Sequence, residues 1–142
     1  MRDPNCIFCK IVEDKVPSVK VYEDEHAVAF LDIAPLANGH TLVIPRNHAH
    51  KIEDLSETDN RGVWELVRIV VPRLTEAMAA EGMTVAVNNG EAAGQEVHHV
   101  HVHLIPRRRD DGYGPIHSLF KGRRPEVTIP ELEAIVHRIR AI

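Results

Sequence analysis

Three histidines at every second position of an apolar segment constrain the fold of this chain more than any other feature. They alternate with aliphatic residues, in the order His99, Val100, His101, Val102, His103 and Leu104. Successive side chains of a strand point to opposite faces, so this spacing predicts a strand with imidazoles on one face and aliphatic groups on the other. The aliphatic face can pack against a helix, and the histidine face must then line a polar site.

The same spacing argues against one metal ion held by all three imidazoles. Alternate residues of a strand lie roughly 7 Å apart, which separates the Cα atoms of His99 and His103 by roughly 13 Å. Zinc–nitrogen bonds of about 2.0–2.1 Å let one ion hold two neighbouring rings but not the whole row. An extended anion such as a phosphate chain fits better, because imidazole can donate to phosphate oxygens, transfer protons or attack phosphorus.

The rest of the chain predicts an α+β fold. Alternating or apolar-rich segments indicate strands at residues 19–23, 27–31, 41–44, 83–87 and 97–105, and a short helix or turn at 7–12. Most strands come in adjacent pairs, with one long helix between the third and the fourth. This order favours an antiparallel sheet over a parallel βαβ arrangement.

Two helices have recognisable ends. Ser56 is typical of a helix N-cap, and apolar residues recur at helical spacing from there to Gly82. Pro72 lies inside this segment, where we expect a kink or a break because proline lacks the backbone donor. Thr128 and Glu131 resemble a capping box and predict a C-terminal helix at about 128–142.

Length and charge limit the classes of protein to which the chain can belong. Its 142 residues predict one domain spanning 1–142, with the C-terminal helix as an appendage. The net charge of −4 argues against nucleic acid as a partner, because binding to a phosphate backbone favours a basic surface. No apolar run is long enough to span a bilayer, and residues 1–5 lack the apolar core of a signal peptide. We therefore expect a cytoplasmic protein without a membrane partner.

Cys6 and Cys9 are the only cysteines. In a reducing compartment the C-x-x-C spacing indicates half of a metal site or a redox pair before it indicates a disulfide. The pattern shows no βαβ unit of the kind that accompanies a thioredoxin-like redox pair. The alternative is two reduced, buried thiols, which are common for free cysteine, but the spacing and the available histidines favour a zinc site.

Several segments together resemble one known family. His99–Ile105 is similar to the signature of the histidine-triad (HIT) family, in which a histidine and an apolar residue are repeated three times. Four further segments match family motifs in order, namely Cys6–Ile11, Ala29–Ile33, Gly39–Pro45 and Val87–Gly90. The resemblance covers most of the chain and is closest to the Hint-like branch in its bacterial form. It implies a five-stranded antiparallel sheet with one long central helix and short flanking helices, and a homodimer that joins two sheets into ten strands.

The resemblance also implies a reaction. In the family pattern His101 attacks the α-phosphate of a purine nucleoside phosphoramidate, such as an AMP or GMP amidate. A nucleotidyl-histidine intermediate forms, and water then hydrolyses it without any organic cofactor. His99 and His103 match the flanking histidines that orient the nucleophile and hold phosphate oxygens.

The substrate-binding positions follow from the same resemblance. Asn88 matches a contact on the phosphate side, the Gly94–Gln95 turn matches a source of backbone donors, and Asp32 matches the ligand of the ribose hydroxyls. The apolar base pocket matches Ile7, Phe8, Phe30 and Ile33, and such a slot predicts a loose base preference. From the residues alone, Asp32 can equally cap a turn, and the apolar residues can be core. His40 matches a position near the site without an assigned role, and Glu96 replaces a serine of the eukaryotic relatives.

For the cysteine pair, the resemblance implies a structural zinc ion. Bacterial relatives often complete the C-x-x-C pair with two histidines, so the predicted ligands are Cys6, Cys9, His48 and His99. A tetrahedral site of this kind has no open position for chemistry.

Three other functions stay open on the sequence. The first is a diadenosine-polyphosphate hydrolase or nucleotidyl transferase of the same superfamily, which shares the chemistry but has a different leaving group. The second is a non-catalytic nucleotide-binding module, and the third is a metal-dependent hydrolase.

Overall fold

Five antiparallel strands form one sheet in the first of two units, 1–112 and 113–142, into which the chain divides. The structure is a computed structural model that describes residues 1–122 and 124–142. The strand order is β1-β2-β3-β5-β4. The elements of the first unit are α1 (Ile7–Val12), β1 (Lys20–Glu23), β2 (Ala27–Leu31), β3 (Thr41–Pro45), α2 (Glu57–Ala77), β4 (Gly82–Ala86) and β5 (Val102–Arg107). The predicted α+β fold with a five-stranded antiparallel sheet is therefore confirmed.

The start of β5 differs from the sequence prediction. The strand begins at Val102, so His99 and His101 precede it and only His103 lies within it. The His99 N–H donates to the Val97 carbonyl in a tight bend, and the Val100 N–H donates to the Ala49 carbonyl, both at 2.8 Å. These bonds keep residues 97–101 out of the ladder, which the alternating pattern does not reveal.

One face of the sheet packs against α2. Val102 and Leu104 of β5 are fully buried in this layer, as the alternation with the histidines predicts. Small side chains of β2 lie opposite the helix, and the buried members of the cluster are Ala27, Ala29, Val43, Val63, Leu66, Val67, Val70, Leu74, Val102 and Leu104. This layer contributes most of the apolar burial that holds α2 to the sheet.

The opposite face is covered in part by α1. Phe8, Ile11 and Val12 of this short helix pack on the alternate residues of β2 and β3, which are Val28, Phe30, Leu42 and Ile44. His103 pairs with Leu42 across the β3–β5 ladder and therefore points to this same face. The histidine side of β5 is thus the side that α1 only partly covers.

The long helix α2 begins as predicted and ends earlier. The Ser56 hydroxyl accepts a hydrogen bond from the Asp59 N–H at 3.0 Å, which confirms the N-cap. The sequence predicts a kink or a break at Pro72, and the break is wrong, because the helix continues to Ala77. Proline leaves the Arg68 carbonyl without its helical donor, and Arg68 is exposed, so water can replace that donor. Ala79 takes the left-handed backbone conformation after the helix, with φ of 48°.

The second unit contains α3 (Ile129–Arg140). The Thr128 hydroxyl accepts from the Glu131 N–H and the Glu131 carboxylate accepts from the Thr128 N–H, so the predicted capping box is confirmed. In the described part of the chain, none of the helices combines the length and the apolar character that a membrane span requires.

We predict that Leu66→Ala lowers the free energy of unfolding by about 2–5 kcal/mol. Leu66 is fully buried between α2 and the sheet, and its truncation leaves a cavity in that layer. Glu76→Ala, an exposed change on the same helix, serves as the control and is expected to stay within about 0.5 kcal/mol of the parent. Urea titration measures both values, and equal losses would contradict the packing described.

Candidate active site

A cavity of about 530 Å³ lies on the face of the sheet that α1 partly covers. It is bordered by α1, the end of β2, the start of β3, the loop between β4 and β5, and β5 itself. Its apolar wall includes Ile7, Phe8, Phe30 and Ile33, and its polar groups are Ser18, Asp32, His40, Asn88, Glu96, His101 and His103. Most of the predicted site residues therefore border a single cavity.

Gln95 and His99 do not border this cavity. Gln95 is buried, and its amide accepts from the Gly90 N–H and donates to the carbonyls of His50 and Val97. The side chain of Gln95 thus holds the loop in shape. The His99 ring is fully buried and lies outside the cavity, so in this conformation it cannot hold a phosphate oxygen there.

The backbone donors expected at the Gly94–Gln95 turn are already used within the loop. The Gly94 N–H donates to the Glu91 carbonyl at 2.9 Å, and the Gln95 N–H donates to the Gly90 carbonyl at 3.2 Å. Gly94 adopts φ of 93°, which glycine tolerates and other residues rarely do. The implied role of these N–H groups toward phosphate therefore does not match this structure, in which they close the turn.

His101 is held in one orientation by the backbone. Its Nδ1 atom lies 2.7 Å from the His99 carbonyl oxygen, which can only accept, so Nδ1 carries the hydrogen. The ring is also in edge contact with Phe8, at 5.2 Å between centroids. In the neutral ring the Nε2 atom then keeps its lone pair, which is the form that a nucleophile or general base requires.

A chain of hydrogen bonds fixes the tautomer of His103. The Leu36 N–H donates to His40 Nδ1 at 3.1 Å, so the hydrogen of neutral His40 is on Nε2. His40 Nε2 lies 2.9 Å from His103 Nδ1 and donates to it, which leaves the hydrogen of neutral His103 on its own Nε2. That Nε2 atom is buried and has no hydrogen-bond partner in residues 1–122 and 124–142. His103, a residue that borders the cavity, thus carries a buried N–H donor without a partner among the described residues.

Burial keeps these two imidazoles neutral. It lowers the pKa of His103 to about 4, and a charge on His101 or His40 lowers it further. Burial also lowers the pKa of His40, although the Asp32 carboxylate opposes this. The neutral states that the hydrogen-bond directions require are therefore the states that the surroundings favour.

Asp32 has one oxygen in a turn and one toward the site. Its Oδ1 atom accepts the Ala34 N–H at 2.8 Å, so the turn-capping interpretation of the sequence describes part of its role. Its Oδ2 atom lies 3.7 Å from His40 Nδ1. Asp32 borders the cavity, and its carboxylate can accept further hydrogen bonds there.

The second cluster consists of two thiols and two imidazoles. The ligand atoms of Cys6, Cys9, His48 and His99 all lie within 4.8 Å of one another. Cys9 Sγ is 3.5 Å from His48 Nδ1 and 3.6 Å from His99 Nδ1, and Cys6 Sγ is 3.5 Å from His99 Nδ1. Zinc–sulfur bonds of about 2.3 Å and zinc–nitrogen bonds of about 2.0 Å separate tetrahedral ligand atoms by about 3.5 Å. The donor set and its spacing therefore fit zinc.

The surroundings of His99 suit a metal ligand as well. Its Nε2 atom donates to the Pro45 carbonyl at 3.0 Å, which leaves Nδ1 free of hydrogen and directed at the thiols. Burial lowers the pKa of His99 to about 4 and raises the pKa of the Cys9 thiol. The low value for His99 favours the neutral ring that metal binding needs.

His40 is the residue whose role the sequence alone does not reveal. It lies on a different strand segment from the three spaced histidines, and its contact with His103 depends on the β3–β5 pairing. The only signal in the sequence is that His40 falls in the Gly39–Pro45 segment.

The fold and the cavity together define a class: α+β proteins in which histidines next to an antiparallel strand line an apolar cleft. Comparison with known proteins gives the family. The HIT domain family model matches residues 13–110, and the chain belongs to the HIT family. "Protein hit" of Bacillus subtilis is 42% identical over 113 residues, covering 79% of this chain and 78% of the relative. "Adenosine 5'-monophosphoramidase hnt1" of Schizosaccharomyces pombe is 44% identical over 110 residues, covering 78% and 79%.

Solved structures support the same assignment. A HIT family protein from Bacillus subtilis has a TM-score of 0.86 at 38% identity, covering 96% of each chain. A Zn-bound histidine triad family protein from Mycobacterium smegmatis has a TM-score of 0.73 at 33% identity, again covering 96% of each chain. The family, the Hint-like resemblance and the fold predicted from the sequence are thereby confirmed.

We predict that His103 stays neutral, with hydrogen on Nε2, until the pH falls to about 4. NMR of ¹⁵N-labelled imidazoles measures both the tautomer and the titration. Unfolded histidines bind protons near pH 6.5, so the contribution of His103 to stability is present above that pH and is lost as the pH falls toward 4. Titration of His103 near pH 6.5 would contradict the hydrogen-bond chain.

Proposed function

We propose that this protein hydrolyses nucleotide phosphoramidates, acting on the α-phosphate of purine nucleotides. The observation that carries the proposal is the His101 ring, which borders the cavity and has Nδ1 tied to the His99 carbonyl. A ring fixed in this way offers Nε2 as a nucleophile without a further change of tautomer. The relatives named adenosine 5'-monophosphoramidase support the reaction class.

The first step transfers the nucleotidyl group to the enzyme. The lone pair of His101 Nε2 forms a bond to the α-phosphorus. The P–N bond to the leaving amine breaks, and the electron pair of that bond takes up a proton from solvent water, which the water of the second step returns. The amine departs with that proton, and a nucleotidyl-histidine remains. The His99 carbonyl oxygen accepts a hydrogen bond from His101 Nδ1 and so stabilises the positive charge that develops on the ring.

The second step restores the enzyme. A water oxygen forms a bond to the same phosphorus and loses its proton, the P–Nε2 bond breaks, and its electron pair returns to His101. The products are the nucleoside monophosphate and free enzyme. In this proposal His103 donates its Nε2 hydrogen to a non-bridging phosphate oxygen when substrate binds, which would give a partner to a buried donor that has none among the described residues.

The nucleoside is proposed to occupy the apolar part of the cavity. Phe8 and Phe30 are buried there in edge contact, while Ile33 is 95% exposed and can be covered by a base. Asp32 accepts from the ribose hydroxyls, and Asn88 contacts the phosphate side. The side chains proposed to contact the base are apolar, which supports a loose base preference.

A diadenosine-polyphosphate hydrolase or nucleotidyl transferase of the same superfamily is the closest alternative, because it needs the same nucleophile. The turnover of an AMP amidate compared with that of a dinucleoside polyphosphate separates the two. A non-catalytic nucleotide-binding module would have no need of a ring held in the nucleophilic tautomer.

Structural zinc is proposed at Cys6, Cys9, His48 and His99. When bound, the ion would cross-link the start of α1 to the segment after β3 and the segment before β5, with no open ligand position for chemistry. The Zn-bound relative and the 3.5–3.6 Å spacing of the donor atoms support this assignment.

A homodimer with a ten-stranded sheet, a single domain over 1–142 and a cytoplasmic location remain predictions of the sequence. Edge strand β4 offers backbone groups with which a second copy can pair.

We predict that His101→Ala lowers kcat at least about a thousandfold with AMP binding retained. Mass spectrometry of the parent protein, quenched during turnover of an AMP amidate, is expected to show one adenylyl group on His101. The control is His137→Ala on α3, a histidine that does not border the cavity and is expected to leave turnover unchanged. Turnover in the His101 variant at the parental rate would refute the proposed nucleophile.

We predict that Cys9→Ser lowers the zinc content from about one ion per chain to near zero and lowers the midpoint of thermal unfolding. The thiol lies within 3.6 Å of both imidazoles, and removing it opens the site. Elemental analysis and thermal scans measure the two effects, and a chelator should destabilise the parent but not the variant. Chelated parent protein is expected to keep its turnover rate while folded. Loss of the rate would favour the metal-dependent alternative.

A further inference from the structure

The charge of the cavity wall is unusual for a site that handles phosphate. Two carboxylates, Asp32 and Glu96, border the cavity, and no lysine or arginine of the described residues does so. Sites that bind phosphate chains commonly use arginine or lysine to balance the charge. In the proposed function the phosphate is contacted by the rings of His101 and His103 and by no lysine or arginine side chain, so a carboxylate at the wall strongly affects which charges a substrate can carry.

Glu96 has neither a cationic partner nor another use in the described part of the chain. Its carboxylate is exposed and takes part in no ion pair or side-chain hydrogen bond there. The backbone around it is held on both sides, because Gln95 is buried with three hydrogen bonds and Val97 packs against the α1 cluster. The backbone that carries this charge is therefore fixed at the cavity wall.

The part of the substrate that lies near Glu96 can be inferred once the nucleoside and the α-phosphate are assigned to the other parts of the cavity. This step rests on the proposed function. The apolar wall and Asp32 take the nucleoside, and His101 meets the α-phosphate. The loop that holds Asn88, Gly94 and Glu96 is left for the group on the far side of the phosphate. Asn88 and Gly94 lie in contact there, with Asn88 Nδ2 3.5 Å from the Gly94 carbonyl.

We propose that Glu96 determines the specificity for the leaving group, favouring amines that carry a positive charge and disfavouring anionic groups. A carboxylate attracts a nearby ammonium and repels a carboxylate, phosphate or sulfate. The preferred substrates are then nucleoside phosphoramidates of diamines or of amino compounds with a free ammonium. Dinucleoside polyphosphates, whose leaving group is a polyanion, are poor substrates for the same reason.

The size of the effect follows from Coulomb's law. Two unit charges about 6 Å apart at a solvent-exposed wall, where the effective dielectric constant lies between about 40 and 80, change a rate roughly three- to tenfold. The preference weakens as salt is added, because an exposed pair is screened.

Three AMP amidates of similar length test the proposal. They are the amidates of 1,3-diaminopropane, butylamine and γ-aminobutyrate, whose tails end in an ammonium, a methyl group and a carboxylate. The P–N bond is of the same type in each, and the basicity of each leaving amine is the same for parent and variant, so the change of the kcat/KM ratios between parent and variant isolates the effect of the tail charge on the residue replaced. For the parent protein we expect the order ammonium, methyl, carboxylate, with roughly three- to tenfold between neighbours at low salt.

Variants of one residue should change this order in a defined way. Glu96→Gln is expected to bring the three kcat/KM values within about twofold of one another, and Glu96→Lys is expected to reverse their order. The matched control is Glu91→Gln, which removes the same charge from the same loop at a residue that does not border the cavity. It should keep the parental order.

Two results would overturn the proposal. One is an unchanged order of the three amidates in Glu96→Gln and Glu96→Lys, and the other is an equal loss of preference in Glu91→Gln. In either case the proposed function stands, as long as the butylamine amidate is turned over through His101. If none of the amidates forms an adduct on His101, the proposed function itself has failed, and with it the basis for a leaving-group site.

Discussion

The burial of His99 is the constraint on which both clusters of this protein depend. Its ring points to the thiols of Cys6 and Cys9 and donates to the Pro45 carbonyl, while its own carbonyl oxygen accepts from His101 Nδ1. One residue thus belongs to the candidate metal site through its side chain and to the candidate active site through its backbone. Any movement of the ring would move the carbonyl that orients the proposed nucleophile.

The cavity achieves its donor arrangement with neutral groups. The Leu36 N–H donates to His40 Nδ1, which leaves the His40 hydrogen on Nε2. His40 Nε2 donates in turn to His103 Nδ1, so the hydrogen of His103 is on its Nε2 atom, which has no partner in the described chain. A neutral donor needs no counter-ion and keeps its orientation over a wide pH range, since burial lowers the pKa of His103 to about 4. A site built on neutral donors has little positive charge to offset the carboxylates at its wall.

The sequence predicts the layers of this fold better than it predicts the site. Period-two alternation predicts that Val102 and Leu104 pack under α2. The N-caps at Ser56 and Thr128 are predicted from the capping side chains themselves. Both features depend on local geometry, which a single sequence reveals. The start of β5 and the inward turn of His99 depend on carbonyls of Ala49 and Pro45, which lie about fifty residues away in the chain. The role of His40 likewise depends on strand pairing. Such contacts leave no periodic trace in a single sequence.

The unequal cover of the two sheet faces explains why a cavity exists at all. The 21 residues of α2 extend for about 31 Å and cover one face, whereas the six residues of α1 extend for about 9 Å on the other. The cavity borders the residues that α1 leaves partly uncovered on that second face, among them Asp32 and His103. The short helix, ending at Val12, is therefore what converts one face of an ordinary antiparallel sheet into a binding surface.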